Sequence, residues 1–561
     1  MKAYTLLKNF AENKICRGLQ WLILVLLGYL FALPFSLPAI GILSYVLAIP
    51  VLLLLFYRAT TNTGRLRRYY GEGVAFFWGY HFGGFYWFYV MYPMDYVGLS
   101  KGESILFLFA AMVLLPLMLA AFYGIVFLLT GAIARILPQK GKPVLLPFVT
   151  ASLFTLICFW QTKTELVIPF VRLAVTQAKF PVLAQSASLF GSTWLDFILI
   201  AVNGLFAAVL LGLFSGEYSL RKKTLRSVLP AILAFGIFLS NLLLGTALYA
   251  MPEKAGETVT AAALQGNLSS SKPTALSTRY TTYATLTRQA AKDGASMVLW
   301  PETALVTDLS NDNEYQRKLS SLAKELGVTI ALGAPDFIEG GGAYNCIYLF
   351  NPDGTLCQTQ YRKQHLVPFG EYVPYKDAIL TVFPFMGGVA SSLPSFVPAE
   401  KTTVITNGST VYGGMICFDS IYPDVARAGV RAGAEVLFLP TNDSWFFDSA
   451  ATEMHLAHAR LRAIESGCYV VRAGHTGISA VITPKGECKA EVAPLEQGYA
   501  LADVTLLEGE TFYAKTGDWF MILVGVYALF FPALALGKFI CRKGKKQQNK
   551  NQWLSHSINK L

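Results

Sequence analysis

Residues Val411 to Tyr422 read VYGGMICFDSIY, and the fold of the surrounding chain is read outward from them. An apolar, β-prone run (Val411, Tyr412, Met415, Ile416) stops at Cys417, and acidic, hydroxylic and helix-starting residues follow. Such a run reads as a buried strand whose end sits on the turn into a helix. A thiol there could point into a cleft, with the N–H groups of the turn facing the same space, a geometry suited to attack on an acyl carbon. The plainer reading is a structural cysteine, because free Cys commonly serves as a small buried hydrophobe.

Two upstream motifs bear on that choice. In Val298-Leu299-Trp300-Pro301-Glu302-Thr303 an apolar strand ends in proline and then a carboxylate. Proline lacks an N–H and normally stops a strand, which places Glu302 at the sheet's edge. In Tyr361-Arg362-Lys363-Gln364-His365-Leu366-Val367-Pro368-Phe369-Gly370-Glu371, Lys363 follows the second strand of a hairpin. Taken singly, a surface Glu and a solvated Lys are the ordinary readings.

The three motifs share one segment. Residues 251–516 alternate short β runs with helical stretches: Val259–Leu264, Tyr280–Lys292, Met297–Trp300, Asn313–Leu326 and Thr329–Gly333. This pattern argues for an α/β sandwich with a core of its own. Cys346 to Gln360 reads as a hairpin about the turn Asn351-Pro352-Asp353-Gly354.

Outside this segment the chain is greasy. Of 561 residues 54% are hydrophobic and only 14% charged, with a mean hydropathy of +0.46, whereas soluble domains carry about a quarter charged residues. Seven apolar spans precede residue 251: Leu19–Phe35, Leu37–Tyr57, Gly73–Met91, Ile105–Leu129, Val144–Trp160, Thr193–Phe214 and Val228–Tyr249. An eighth, Trp519–Phe539, lies near the C-terminus. Most approach the ~20 residues that cross a bilayer core. The first is not a cleavable signal peptide, since it lacks a small-residue cleavage site and runs into a second span. Three domains are therefore expected: 1–250 membrane, 251–516 a soluble α/β domain, and 517–561 a last span with a basic tail.

Lys and Arg divide 22 to 4 between alternate connections, with both chain ends on the richer side. Basic loops stay cytoplasmic, so both termini are expected inside and residues 251–516 outside. The net charge of +11 resolves into −7 for residues 251–516 and +18 for the rest. The basicity thus follows topology and does not call for nucleic acid. The third span crowds aromatic residues around Gly79, Gly83 and Gly84, either as interior packing or as the border of a lipid-entry cleft. Glu72, His81 and Asp196 are ionisable groups in or near spans and so candidates for function.

LWPETA, YRKQHLVPFGEYVPY, MICFDS, TNDSWF (Thr441–Phe446) and HARLRAIESGCYVVRAGHTGISAVI (His458–Ile482), set among these spans, resemble the apolipoprotein N-acyltransferase family of the nitrilase, or carbon–nitrogen hydrolase, superfamily. The resemblance covers nearly the whole chain. It implies a polytopic membrane domain of about eight spans carrying an αββα sandwich. It also implies a triad in which Glu302 is the general base, Lys363 the electrostatic partner and Cys417 the nucleophile. Glu371 and Asp419 match acidic positions beside the triad and are assigned to orienting Lys363 or the thiol. Phe418 would lend its backbone N–H to an oxyanion hole. Trp445 would face the acyl chain, a buried core Trp being the plainer alternative. Relatives often read CYE where this chain has Cys417-Phe418-Asp419, and Gln-His where it has Met454-His455.

The implied reaction moves a fatty acyl chain from a phospholipid, through a Cys417 thioester, to the α-amine of a diacylglyceryl-cysteine at an apolipoprotein N-terminus. The implied place is the bacterial cytoplasmic (inner) membrane, with the catalytic domain periplasmic and the enzyme monomeric. Two other classes share the residues: a membrane-tethered amidase using water, and a sensor or transporter with a degenerate domain. Eight spans argue against the first and an intact triad against the second. The stretch Ile379 to Gly388 is either an arm dipping into lipid or a buried helix end. With Cys417 free, Cys346, Cys357, Cys468 and Cys488 allow three pairings, or none if reduced. No Cys/His spacing resembles a zinc site and no Gly-rich phosphate loop follows a strand, so neither metal nor nucleotide is expected.

Overall fold

The computed structural model describes residues 17–534 except 165–167, 215–219, 269–273, 312, 383–386, 388–394 and 532, together with residues 5 and 8–10. Every apolar span falls on a helix: α1 Arg17–Ser36, α2 Pro38–Thr61, α3 Leu66–Phe85, α4 Lys101–Ala134, α5 Lys142–Gln161, α6 Ser192–Phe214 and α7 Leu220–Ala250. Near the C-terminus the described stretch of helix, here α12, is Trp519–Phe531. The end of the expected eighth span, the basic tail, Cys16 and Cys541 lie outside the described residues. Among the described residues six helices are long and apolar enough to cross a membrane, namely α1, α2, α4, α5, α6 and α7. Helix α3 carries Arg67, Arg68 and Glu72 in its first turns and is not among them.

Small residues set the helix packing. A Cβ on Gly28 would lie 1.8 Å from the carbonyl oxygen of Phe76, and one on Gly79 would lie 1.9 Å from that of Val25. Helices α1 and α3 therefore touch backbone to backbone. Phe76, Phe77 and Tyr80 fill the bundle interior, so the first half of the aromatic span is packing. On the outside, Leu19, Leu22, Leu26 and Leu30 of α1 and Ile232, Phe235, Leu239 and Leu243 of α7 are exposed. Their spacing of three or four residues makes one apolar stripe per helix, as a lipid-facing surface requires.

The connections sort to opposite ends of the bundle. At one end Arg135 donates to the Gly64 carbonyl, Gln139 to Thr60 and Lys142 to Ala59. At the other, Tyr96 packs on Trp445, Trp87 on Phe446, and Gln185 donates to the Lys485 carbonyl. The catalytic domain sits on the end away from these basic loops.

That domain holds two six-stranded sheets. Strands β1 Thr258–Gln265, β2 Met297–Leu299, β3 Thr329–Phe337, β4 Ala343–Phe350, β5 Tyr361–Arg362 and β12 Gly498–Thr505 run in the order β12-β1-β2-β3-β4-β5. Strands β6 Ile405–Thr406, β7 Val411–Gly414, β8 Val436–Thr441, β9 Tyr469–Gly474, β10 Ser479–Ile482 and β11 Cys488–Val492 run β11-β10-β9-β8-β7-β6. Side chains alternate across each strand. Ala262, Leu264, Val298, Ile330 and Leu332 pack under helices α8 Leu276–Lys292 and α9 Glu314–Leu326, while Ala261, Ala263, Leu299 and Ala331 join the core shared with the second sheet. Helices α10 Pro423–Arg431 and α11 Ala450–Ser466 cover that second sheet, completing the αββα sandwich.

The expected hairpin turns at Asn351–Gly354, and its second arm pairs at Leu356–Cys357 and again at Tyr361–Arg362, with an irregular stretch between. All six described cysteines (Cys158, Cys346, Cys357, Cys417, Cys468 and Cys488) are free, so none of the three pairings forms. Glu72 is buried against Arg58 and Arg68, and Asp196 against Arg172. His81 is buried edge-on to Tyr80 and Tyr123. All three are packed in the helical domain, away from the cavity described below. Residues Lys376–Val382 form a short helix, while most of the proposed arm beyond it lies outside the described residues.

Candidate active site

The loop after β2 brings in the first group. Trp300 N–H donates to the Ala331 carbonyl and Gly333 N–H to that of Pro301, which hold the chain against β3 just past the strand's end. Position 333 must be glycine, since a Cβ there would lie 2.6 Å from the Glu302 Cα. Thr303 then takes a left-handed backbone with φ +45, a conformation costly for a β-branched residue. Together these aim the buried Glu302 carboxylate inward.

Lys363 leaves β5 with its N–H on the Asn345 carbonyl. Its ammonium, 1% exposed, lies 2.9 Å from Glu302 Oε1 and 2.9 Å from Glu371 Oε2. Asn345 Nδ2 donates to Glu302 Oε1 at 2.7 Å and to Glu371 Oε1 at 3.3 Å, and Glu371 also accepts from Val367 N–H. Burial works against the ammonium, but the two carboxylates overcome it and hold the Lys363 pKa well above its ordinary value. Burial also raises the carboxyl of Glu371.

Cys417 opens a short 3₁₀ turn, Cys417–Ile421, directly after β7. It has φ +49, a strained conformation for a residue with a Cβ. The buried carboxylate of Asp419 braces this turn. It accepts from Ile416 N–H at 3.0 Å, the Tyr361 hydroxyl at 2.8 Å and His365 N–H at 2.8 Å. Asp419 thus grips the backbone next to the thiol at Ile416 and the backbone just past Lys363 at His365. Burial, and next the Glu302 carboxylate, push the Cys417 thiol well above its ordinary pKa, with Lys363 opposing. At neutral pH the sulfur carries its proton and needs a base to lose it.

Glu302, Lys363 and Cys417 line one cavity of about 320 Å³, together with Asn345, Glu371, Phe418 and Trp445. The membrane domain supplies part of the remaining wall, with Phe85, Trp87, Phe88, Met91, Ile168 and Phe170 among its residues. The second half of the aromatic span thus borders the site, as the first half does not. The cavity is apolar apart from the triad end, which suits an aliphatic chain.

Sequence reasoning missed three participants. Asn345 bridges the two carboxylates, and its signal was an amide inside the apolar run Ala343–Phe350. His475 Nε2 donates to the Glu302 carbonyl at 2.6 Å while its Nδ1 meets the Tyr283 hydroxyl. Buried His455 lies against the Cys417 carbonyl oxygen at 3.1 Å and Asp443 at 2.8 Å. The donor atoms of Cys417, Asp443 and His455 fall within 4.8 Å of one another, as a metal site would require. Asp443 is already bonded to Arg472 and His455, however, so two of the three donors are committed to each other.

Comparison with known proteins covers both domains. Residues 27–205 match the apolipoprotein N-acyltransferase N-terminal domain, and residues 260–512 match the carbon–nitrogen hydrolase family. The chain is 29% identical over 374 residues to an apolipoprotein N-acyltransferase of Geobacter metallireducens, covering 65% of this chain and 70% of the relative. It is 32% identical over 348 residues to that of Gloeobacter violaceus, covering 62% and 63%. With that of Haemophilus ducreyi it shares 27% identity over 441 residues, covering 77% and 82%.

Proposed function

The chain belongs to the apolipoprotein N-acyltransferase family, and we propose that it transfers a fatty acyl chain from a phospholipid to the amino terminus of a diacylglyceryl-modified apolipoprotein. The observation that carries this reading is the placement of Glu302, Lys363 and Cys417 at one end of an apolar cavity walled in part by the membrane domain. Both substrates are lipids, so a site reached from the bilayer spares either one a passage through water.

In the first half-reaction Cys417 Sγ attacks the ester carbonyl carbon while Glu302 takes the sulfur's proton. The carbonyl oxygen becomes an oxyanion beside Lys363 Nζ, which stays charged between its two carboxylates. The Phe418 amide, at the leading end of the 3₁₀ turn, offers a second donor. Collapse breaks the C–O bond, the proton on Glu302 passes to the leaving oxygen, and a lysophospholipid departs from the Cys417 thioester. In the second half-reaction the lipoprotein's α-amine attacks the thioester. Glu302 accepts the amine proton and returns it to sulfur as the C–S bond breaks. Trp445 and Phe170 flank the path of the acyl chain.

The catalytic domain faces the periplasm in this proposal and the basic loops face the cytoplasm, following the charge asymmetry. One chain holds the complete triad and cavity, so a monomer suffices. The deciding experiment incubates the purified protein in detergent with phospholipid and no acceptor, then measures intact mass. A hydroxylamine-labile fatty-acyl increment is expected, absent in Cys417→Ala and discharged by a diacylglyceryl-cysteinyl peptide. Discharge by water at the same rate would make it an amidase, and no adduct on folded protein would refute the reading.

A further inference from the structure

Between α5 and α6 the chain passes through residues 168–177, an irregular stretch that ends in the 3₁₀ turn Leu173–Gln177 and is buried except for a half-exposed Ile168. Buried backbone without a strand or α-helix of its own needs side chains to satisfy its polar groups. The membrane domain supplies two of them. Asp196, on α6, accepts from the Ala174 N–H at 2.8 Å, and the Tyr80 hydroxyl donates to the Val171 carbonyl at 3.4 Å. A Cβ on Gly84 would lie 2.4 Å from Val171 Cγ1, so the stretch also sits hard against α3.

The catalytic domain supplies a third anchor. His458, on α11, places Nε2 2.9 Å from the carbonyl oxygen of Phe170. A carbonyl only accepts, so Nε2 carries a hydrogen whether the ring is neutral or charged. The imidazole also lies against the Phe170 ring, with centroids 5.7 Å apart. His458 thus holds both the backbone and the side chain of one residue from the other domain.

Phe170 is where the two domains share a wall. Its ring meets Trp87 of the membrane domain at 5.9 Å and Phe446 of the catalytic domain at 6.1 Å, and those two meet each other edge-on at 5.0 Å. All three line the cavity that holds the thiol. Rings in mutual contact leave no passage for a chain between them, so the trio is a closed boundary. Ring contacts tolerate sliding, whereas an N–H···O bond is directional. An acyl chain offers nothing but its shape to be read, and shape is read only by a wall that does not yield.

We propose that His458 is a positioning residue that sets acyl-chain specificity: its bond to the Phe170 carbonyl keeps the Phe170–Trp87–Phe446 wall rigid, so that straight and kinked chains reach Cys417 at different rates. The inference rests on the reading of Cys417 as acceptor of a phospholipid acyl chain.

The test gives full-length protein in detergent either distearoyl or dioleoyl phosphatidylethanolamine, which differ only in their cis double bonds. Thioester formation on Cys417 is followed by intact mass. The wild-type rates for the two donors should differ by about fivefold or more. In His458→Leu that ratio should shrink at least about threefold, the scale of one neutral hydrogen bond. His458→Gln, whose amide reaches where Nε2 does, should restore it. An unchanged ratio in folded His458→Leu, or equal wild-type rates, would overturn the proposal. Slower iodoacetamide alkylation of Cys417 in His458→Leu would overturn it too, because the histidine would then act on the thiol through α11 and not on the wall. If His458→Leu fails to fold, His458→Asn takes its place, since its amide is one bond short of the carbonyl. Wild-type thioester formation is the control: its absence with both donors would refute Cys417 as acyl carrier rather than His458 as support of the wall.

Discussion

The Tyr361 hydroxyl donates to Asp419 Oδ2 at 2.8 Å, joining the strand that leads into Lys363 to the turn that carries Cys417. The two halves of the triad come from opposite sheets, and this bond with the Asp419–His365 amide bond sets their separation. Tyr361→Phe removes one donor and should lower kcat by roughly fivefold with modest loss of stability. Asp419→Asn replaces an acceptor of several donors by a group that must also give protons, and should lower kcat by about 10² or more. Equal, small effects of both variants on single-turnover acylation would show that the brace is not needed.

Lys363→Ala should abolish turnover, as loss of one oxyanion donor costs ~10²–10³ in rate. It should also lower stability by about 3–5 kcal/mol at neutral pH, because Glu302 and Glu371 are then left buried without their counter-charge. Adding Glu371→Gln to that variant should restore much of the stability and none of the activity. Thermal unfolding of the purified variants checks the first effect, and thioester formation checks the second.

His475 predicts an acid sensitivity. Burial lowers its pKa to about 4 in the folded protein, against about 6.5 when unfolded. Above pH 6.5 both states hold the ring neutral and the group has no effect. As pH falls from about 6.5 to about 4 the unfolded chain binds a proton that the folded chain does not, so stability declines, by about 3 kcal/mol in total. Buried His458 adds to the loss in the same direction. The unfolding temperature should therefore drop between pH 7 and pH 5, and less steeply in His475→Gln; an unchanged slope would contradict the assignment.

Orientation is tested by reporter fusions. An enzyme active only outside the cytoplasm should work when fused after Leu501 and fail when fused after Gln547. The reverse pattern would contradict the charge-based topology.

Much of this protein follows from sequence alone because the signals are local. Lipid-crossing helices need long uninterrupted apolar runs, which α1, α2 and α4 to α7 display. Strand and helix periods in residues 251–516 differ enough to reveal an α/β sandwich. Glu302, Lys363 and Cys417 sit in short motifs legible one at a time. Pairings between distant buried polar groups leave no such trace. Burial preference says that Asp196 or His475 is costly to hide, but not what relieves the cost. Folding gives Asp196 to Arg172 as packing within the membrane domain and gives His475 to the Glu302 carbonyl as part of the site, 173 positions away in the chain. Likewise the aromatic third span reads equally as interior packing or as the border of a cleft, and only where the two domains meet do Trp87 and Phe88 become walls of the cavity that holds the thiol. Tertiary structure alone decided these matters, because each buried donor or charge takes whichever partner the closed fold brings within about 3 Å.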